Sequence, residues 1–575
     1  MLQYSKHLAA ILLLIFSITA CKNKPEVKKI TTIQIRINEE PDVISPFFSK
    51  TSIAGQLSEK IFLPLAEFDP LTLRLRPVLV GKIPKATYNN GLEQYKLSLR
   101  PGIKWQDGRN MTSKDIITTF KLLFNPFSEA NSIRSTLKNL VDIVPDATDS
   151  LTFDVFFKGR YHLDLEAVIN MPIVPAHTYD RNGFIQSVPL AILAQKGDSL
   201  LHCTDSAAYQ LNATAFKDRF SDFEHLNGSG GYNVKSWKQG QIISLAKIHP
   251  WWGDKYADSS TTLQAYAQEL NYLVLPDENS AINALKSGHL DILAGISPTK
   301  IKELENSPLI RDSFDLGCPD ILQYYYIAMN NSNPALGDVN VRKALAGLLD
   351  VDKIIAQLMD GKATRVVSPI LPRKFYYNKA LIPVSFDPSN SQKLLEEGGW
   401  KLESGQRVRS KRINGKVIPL QFTYLTTGKQ LGKEMTALLQ NEAAKIGISI
   451  QPEVMEFTQI LQKVKAGSYD LANMAASQFP GLDDPYLSWH SSNAFGKGTN
   501  VANLQNPLID SLVAQIRNAP DEATRNKFFK DFQVTMYKLQ PVIFLFSPQN
   551  CILINKKLHP VFSMRRPGYF ENSMQ

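Results

Sequence analysis

The chain has 575 residues, 43% hydrophobic and 21% charged, and its 64 lysines and arginines exceed its 54 aspartates and glutamates for a formal charge of +10. That length allows about four globular units, and no stretch beyond the N-terminus is apolar enough to cross a bilayer. The excess positive charge is spread along the chain behind an export signal, which excludes a nucleic-acid partner from the expected functions.

Residues 1–20 read as a secretory signal. Lys6 and His7 precede an apolar run at 8–16, which is shorter than the roughly 20 residues a bilayer core requires. Ile18-Thr19-Ala20-Cys21 resembles a bacterial lipobox, with Cys21 lipidated and 21–30 a polar tether. The alternative is an ordinary signal peptide beside a bystander cysteine. Residues 33–38 alternate as a half-buried strand does, and Thr51 or Ser52 can cap the helix that carries Leu57, Ile61 and Phe62. Further on, Leu97 and Leu99 share one strand face, and Gly102 and Gly108 permit turns at positive φ. Thr112 with Asp115 three residues later is close to a capping box.

Asn227-Gly228-Ser229-Gly230-Gly231 has neither a following Lys-Ser/Thr pair nor GxGxxG spacing, so a tight turn is expected rather than a phosphate cradle. Residues 272–278, 280–286 and 290–293 read as strand, helix and strand, a spacing that suits a parallel sheet. The aromatic, uncharged stretch 322–329 is a buried strand. Two helices follow, capped by Asp338 or Asn340 and by Asp350, and Gly361 ends the second. The basic cluster 407–416 contains the hairpin pair Asn414-Gly415. Strands at 420–425, 448–454 and 542–546 and helices at 434–444 and 522–539 complete the pattern. With Cys21 assigned to lipid, Cys203, Cys318 and Cys551 allow at most one disulfide, and no zinc or CxxC spacing is present.

The order of residues adds a resemblance. Asn330, Pro334, Asp338-Val339-x-Val341-Arg342-x-Ala344-Leu345, Asp350 and Gly361 are similar to the signature of family 5 solute-binding proteins, the dipeptide-, oligopeptide- and nickel-binding components of bacterial ABC importers. Other blocks follow in family order. They are Ile44-Ser45-Pro46, with serine where aspartate is usual; residues 95–116; residues 227–237, with Gly231 for proline; Trp251-Trp252-Gly253; Phe386-Asp387-Pro388 with Gly398-Gly399-Trp400; and Tyr469-Asp470-Leu471. The resemblance spans about 33–562, and 181–226 reads as an insertion.

The resemblance implies an α/β fold of the two-lobed periplasmic-binding-protein-like class (type II), with an extra subdomain in lobe one. Lobe one would comprise 31–68, 226–314 and 541–575, the subdomain 69–225, and lobe two 315–540. Paired crossings near 315 and 540 would make a hinge. The implied function is capture of a peptide or peptide-like ligand and its delivery to an ABC permease. The implied protein is a monomeric lipoprotein of the cell envelope, facing periplasm or exterior, without cofactor, metal or catalysis.

The expected ligand contacts are Lys50, Thr51 and Ser52; Gln323, Tyr324 and Tyr325; and Phe479, Asp483, Asp484 and Trp489. Two of the three strand residues alternate into the core. Lys50 would suit a carboxylate or phosphate. In peptide-binding relatives an aspartate pairs with the peptide α-amino group; alignment on Pro485 puts Gly481 there. Asp483 or Asp484 would replace it only if the loop shifts, and otherwise both cap the following turn. Some relatives have a disulfide in the second lobe, but Cys318 has no partner before Cys551, so the thiols are expected to be buried small hydrophobes. Rival readings are a hydrolase, for which GxSxG and HExxH are missing; a nickel chelate binder using His490; a binder of a sugar-like solute; and a ligand-sensing receptor.

Overall fold

A computed structural model describes residues 31–574, so the signal at 1–20 and the tether at 21–30, with Cys21, lie outside the described residues. Two large sheets organise the rest. The first has seven strands in the order Phe314–Gly317, Ile552–Asn555, Ile292–Ala294, Thr32–Ile37, Glu269–Val274, Ile242–Lys247 and Tyr232–Lys238. Thr32–Ile37 runs parallel to both Glu269–Val274 and Ile292–Ala294, with Ile35 opposite Tyr272 and Ile292. The expected strand–helix–strand unit therefore crosses over the chain's first strand through the helix Glu278–Lys286. Alternation sends Ile33, Ile35, Leu270 and Tyr272 into one core and Leu293 and Leu553 into another, where they meet Ala281, Ile282 and Leu285.

The subdomain is a four-stranded antiparallel sheet with the helix Ser113–Phe124. Thr112 N donates to Asp115 Oδ2 at 2.9 Å, and Gly102 and Gly108 hold φ of 78° and 86°. Its apolar face is continuous with the core of the first sheet. Residues 181–226 join the same core through helices Leu190–Lys196 and Ser206–Asp218, and Phe216 packs on Phe48 at 5.3 Å between ring centroids.

The glycine-rich loop is a close-approach turn. Gly230 N donates to Ile61 O at 2.8 Å, and a Cβ on Gly228 or Gly230 would lie 2.0 or 2.1 Å from the carbonyl oxygens of Ile61 or Lys60. Only glycine lets the loop pack this tightly on the end of the helix Ser52–Ile61.

The second sheet has five strands in the order Ser449–Val454, Gln421–Thr426, Leu471–Ser477, Gln323–Met329 and Val542–Phe544. Residues of Gln323–Met329 alternate between two cores, Tyr324, Tyr326 and Ala328 to one side and Ile327 and Met329 to the other. The signature residues hold this sheet's helices together. Asp338 accepts from Asn340 N at 2.9 Å and from the indole of fully buried Trp400 at 3.0 Å. Arg342 is buried and donates to the carbonyls of Leu336, Gly337, Leu539 and Gln540 at 2.7–3.1 Å. Its burial pushes its pKa down to about 10, against the pull of Asp338. At the basic cluster, Asn414 and Gly415 turn the expected hairpin at φ of 47° and 81°.

Two expectations are corrected. The segment 541–575 does not belong wholly with the first sheet. Val542–Phe544 pairs antiparallel with Gln323–Met329, and Phe546–Pro548 pairs with Ala363–Arg365. The second crossing therefore falls at 549–551 rather than 540, because two more short strands intervene before the chain returns. Cys318 and Cys551 are also not free thiols but a disulfide, with Cα atoms 4.0 Å apart. Antiparallel pairing of Gly317 with Ile552 puts the two cysteines side by side across 233 residues of sequence. Cys203 is a free, half-buried thiol.

Candidate functional site

Between the two sheets lies a cavity of about 390 Å³, within the range typical of small-ligand sites. Every part of the fold contributes to its wall: Glu59 and Phe62 from the end of the helix Ser52–Ile61, Glu67 and Phe68 from the strand Ala66–Phe68, and Asn170 and Pro172 from the subdomain. Leu322, Ser477, Gln478 and Pro480 face them from the second sheet, and the chain's C-terminal segment closes the wall with Met564, Arg565 and Arg566.

The charged groups of this wall are unequally engaged. Glu67 is buried and accepts from Thr262 N at 3.2 Å, from the hydroxyls of Ser260 and Thr262, and from Arg565 Nη1 at 2.7 Å. Arg565 also pairs with Glu59 at 3.1 Å and donates to Phe68 O at 3.2 Å. Burial opposes its charge, but Glu59 and Glu67 outweigh that cost and raise its pKa above the ordinary arginine value.

Beside the cavity, the loop 479–484 forms a second polar centre. The buried ammonium of Lys374 donates to the carbonyls of Phe479, Pro480 and Gly481 and sits 3.6 Å from Asp483. Burial lowers Lys374 and raises Asp483, each partly restored by the other. Asp483 also accepts from Tyr376 Oη at 2.7 Å. The subdomain meets this loop directly. Tyr161 Oη donates to Asp484 Oδ2 at 2.8 Å, His162 Nε2 lies 3.1 Å from Asp483 O, and Leu482 N reaches Glu166 Oε2 at 3.4 Å. Burial pushes Glu166 up to about 7 and His162 down to about 4.

None of the ten residues expected to contact ligand is among those lining this cavity. Lys50 N and Thr51 Oγ1 bond to Asp42 at 2.9 and 3.1 Å, at the start of the helix Ser52–Ile61. The cavity takes that helix from its other end at Glu59, roughly 12 Å away at 1.5 Å per residue. Tyr324 is buried in one core and Tyr325 packs on Phe546. Leu322, next to Gln323, lines the cavity instead.

Phe479 is 77% exposed, while its neighbours Gln478 and Pro480 line the wall. Asp483 and Asp484 have their carboxylates engaged inside the protein. Arg517 pairs with Asp484 at 2.9 Å through Nε, and Asp484 Oδ1 accepts from Tyr486 N at 3.2 Å. Trp489 is buried, and His490 stacks on Tyr486 at 4.1 Å. Gly481 is crowded, since a Cβ there would lie 2.4 Å from the Phe68 ring and 2.5 Å from Glu166 Oε2. Sequence alone does not reveal Glu59, Glu67 and Arg565 as one cluster, because their meeting spans some 500 residues of sequence.

Residues 82–498 match the model of the bacterial extracellular solute-binding proteins, family 5 (middle). The chain belongs to this family. Among its relatives, the oligopeptide-binding protein AppA of Bacillus subtilis (strain 168) is 24% identical over 530 residues, covering 90% of this chain and 86% of that protein. The structure of AppA in complex with a nonapeptide shares the fold at a TM-score of 0.62 and 22% identity, over 95% of this chain and 99% of that one. NikA from Brucella suis, in complex with Fe(III)-EDTA, matches at a TM-score of 0.70 and 17% identity, again over 95% and 99%. Membership of family 5 makes this a solute-binding protein with the two-lobed fold of that family. No helix among the described residues is long and apolar enough to cross a membrane, and no group of three or more His, Cys, Asp or Glu among them is arranged to hold a metal ion.

Proposed function

We propose that this chain is a peptide receptor of an ABC importer, tethered outside the cytoplasmic membrane by a lipid on Cys21, which binds its ligand between the lobes and hands it to the permease without chemical change. The observation that carries the reading is the interlobe cavity, whose wall draws on the subdomain, both sheets and the C-terminal segment. A site divided in this way gains contacts as the lobes close and loses them as they part, which suits capture and release. The oligopeptide-binding name of AppA and the nonapeptide in its structure support a peptide as the ligand class. Phe62, Phe68, Pro64, Pro172 and Pro480 offer apolar surface, and Gln478, Ser477 and Asn170 offer donors and acceptors for a peptide backbone.

Native mass spectrometry of the purified mature chain, followed by calorimetry with mixed short peptides, tests the reading. Bound peptides and micromolar or tighter affinity are expected. A co-purified sugar or metal chelate, or turnover of the added peptides, overturns it. Labelling of cells with a fatty-acid analogue checks the tether: wild type should carry the label and Cys21→Ala should not.

A further inference from the structure

Of the residues that line the cavity, Arg565 and Arg566 are the two cations, and they differ in what holds them. Arg565 is occupied by Glu67, Glu59 and the Phe68 carbonyl. Arg566 is exposed, faces the same cavity, and its guanidinium has no hydrogen-bond or ion-pair partner among the described residues.

The loop that presents Arg566 is fixed at several points. Ser563 N donates to Gly568 O at 2.9 Å, Arg565 N donates to Ser563 Oγ at 3.0 Å, and that hydroxyl donates to Pro70 O at 2.6 Å. Gly568 has φ of 106°, and a Cβ there would lie 2.5 Å from Ile552. The guanidinium is thus supplied by an anchored loop, and all five of its N–H donors are unused.

The charges of the wall also divide. Glu59, Glu67, Arg565 and Arg566 sum to zero, but Arg565 sits on both carboxylates and leaves Arg566 as a separate positive end. Glu59, about half exposed, has Arg565 as its one ion-pair partner among the described residues and keeps acceptor capacity toward the cavity. Such a wall complements a solute with a negative and a positive end rather than a net anion.

We propose that Arg566 receives the terminal carboxylate of the peptide, so that the protein selects short zwitterionic peptides with a free C-terminus. The planar fork of the guanidinium matches the two oxygens of a carboxylate, and the pair strengthens as closing lobes exclude water. This assignment rests on the peptide reading above and adds to it the residue and the ligand end.

The experiment compares a mixed pool of tripeptides to pentapeptides as free acids with the same pool as C-terminal amides, scoring bound fractions by native mass spectrometry and affinities of the retained peptides by calorimetry. Wild type should favour the acids by about tenfold or more. Arg566→Gln should lose roughly tenfold to a hundredfold on the acids and leave any amide binding unchanged. Arg566→Lys should fall between, because it keeps the charge without the fork. Lys50→Ala, an exposed cation away from the cavity, should match wild type. Equal binding of acids and amides by wild type, or undiminished binding of acids by Arg566→Gln, overturns the carboxylate anchor while leaving the peptide reading intact. Binding of neither pool by wild type refutes the peptide reading and the anchor with it.

Discussion

Replacing Lys374 by methionine tests the polar centre beneath the loop 479–484. The side chain is 1% exposed, and its ammonium serves three successive carbonyls and Asp483. Methionine fills nearly the same space without charge or donors. It leaves Asp483 buried with the Tyr376 hydroxyl as its remaining side-chain donor, 2.7 Å away. Breaking a buried pair from one side costs about 3–5 kcal/mol. At about 2–4 °C per kcal/mol for a unit of the second lobe's size, the transition containing that lobe should fall by roughly 6–20 °C in differential scanning calorimetry. Lys374→Met combined with Asp483→Asn should recover a large part of the loss, because the orphaned charge is gone and the amide oxygen still accepts from Tyr376. A single variant melting within about 2 °C of wild type, or a double variant weaker than the single, would refute this account of the loop.

Two further substitutions probe packing and protonation. Gly230→Ala drives a methyl group to 2.1 Å from the Lys60 carbonyl and should cost about 1–3 kcal/mol or more by denaturant titration. Gly55→Ala, in the helix Ser52–Ile61 whose end that loop packs on and with nothing within 4 Å of the new Cβ, should stabilise by up to about 1 kcal/mol. Burial raises Glu166 from 4.5 to about 7, so the folded protein keeps a proton that the unfolded chain releases. Its contribution is fully present below pH 4.5 and declines as pH rises to about 7, reaching about 3 kcal/mol in all. Stability measured from pH 4.5 to 8 should therefore slope less in Glu166→Gln, and an unchanged slope would contradict the assignment.

Local signals in the sequence translated well into local structure. The caps at Thr112, Asp338 and Asp350, the hairpin at Asn414-Gly415 and the helix Glu522–Leu539 all occur where periodicity and turn chemistry put them. The site was read less well, for two physical reasons. A strand turns successive side chains to opposite faces, so an expectation off by one residue selects the core. Gln323 is expected where its neighbour Leu322 lines the cavity, and a one-residue offset likewise puts Phe479 where Gln478 and Pro480 belong. The other reason is distance along the chain. Nothing local to Arg565 announces Glu67, which only the folded chain brings to it, and nothing near Cys318 announces Cys551, which strand pairing places beside it. Asp483 and Asp484 looked available because sequence does not reveal that Lys374, Arg517 and two tyrosines already surround them.

The disulfide lies where the chain passes from one sheet to the other. Its neighbours on the two passing segments are themselves bonded, with Asn550 N donating to Pro319 O at 3.0 Å and Ile321 N to Pro548 O at 3.1 Å. The segments at 318–322 and 549–551 thus form one riveted strap rather than two independent cords. A strap of this kind can flex and twist, but its two edges cannot slide past each other. Any movement of one sheet against the other must therefore bend this strap as a unit rather than shear its two segments.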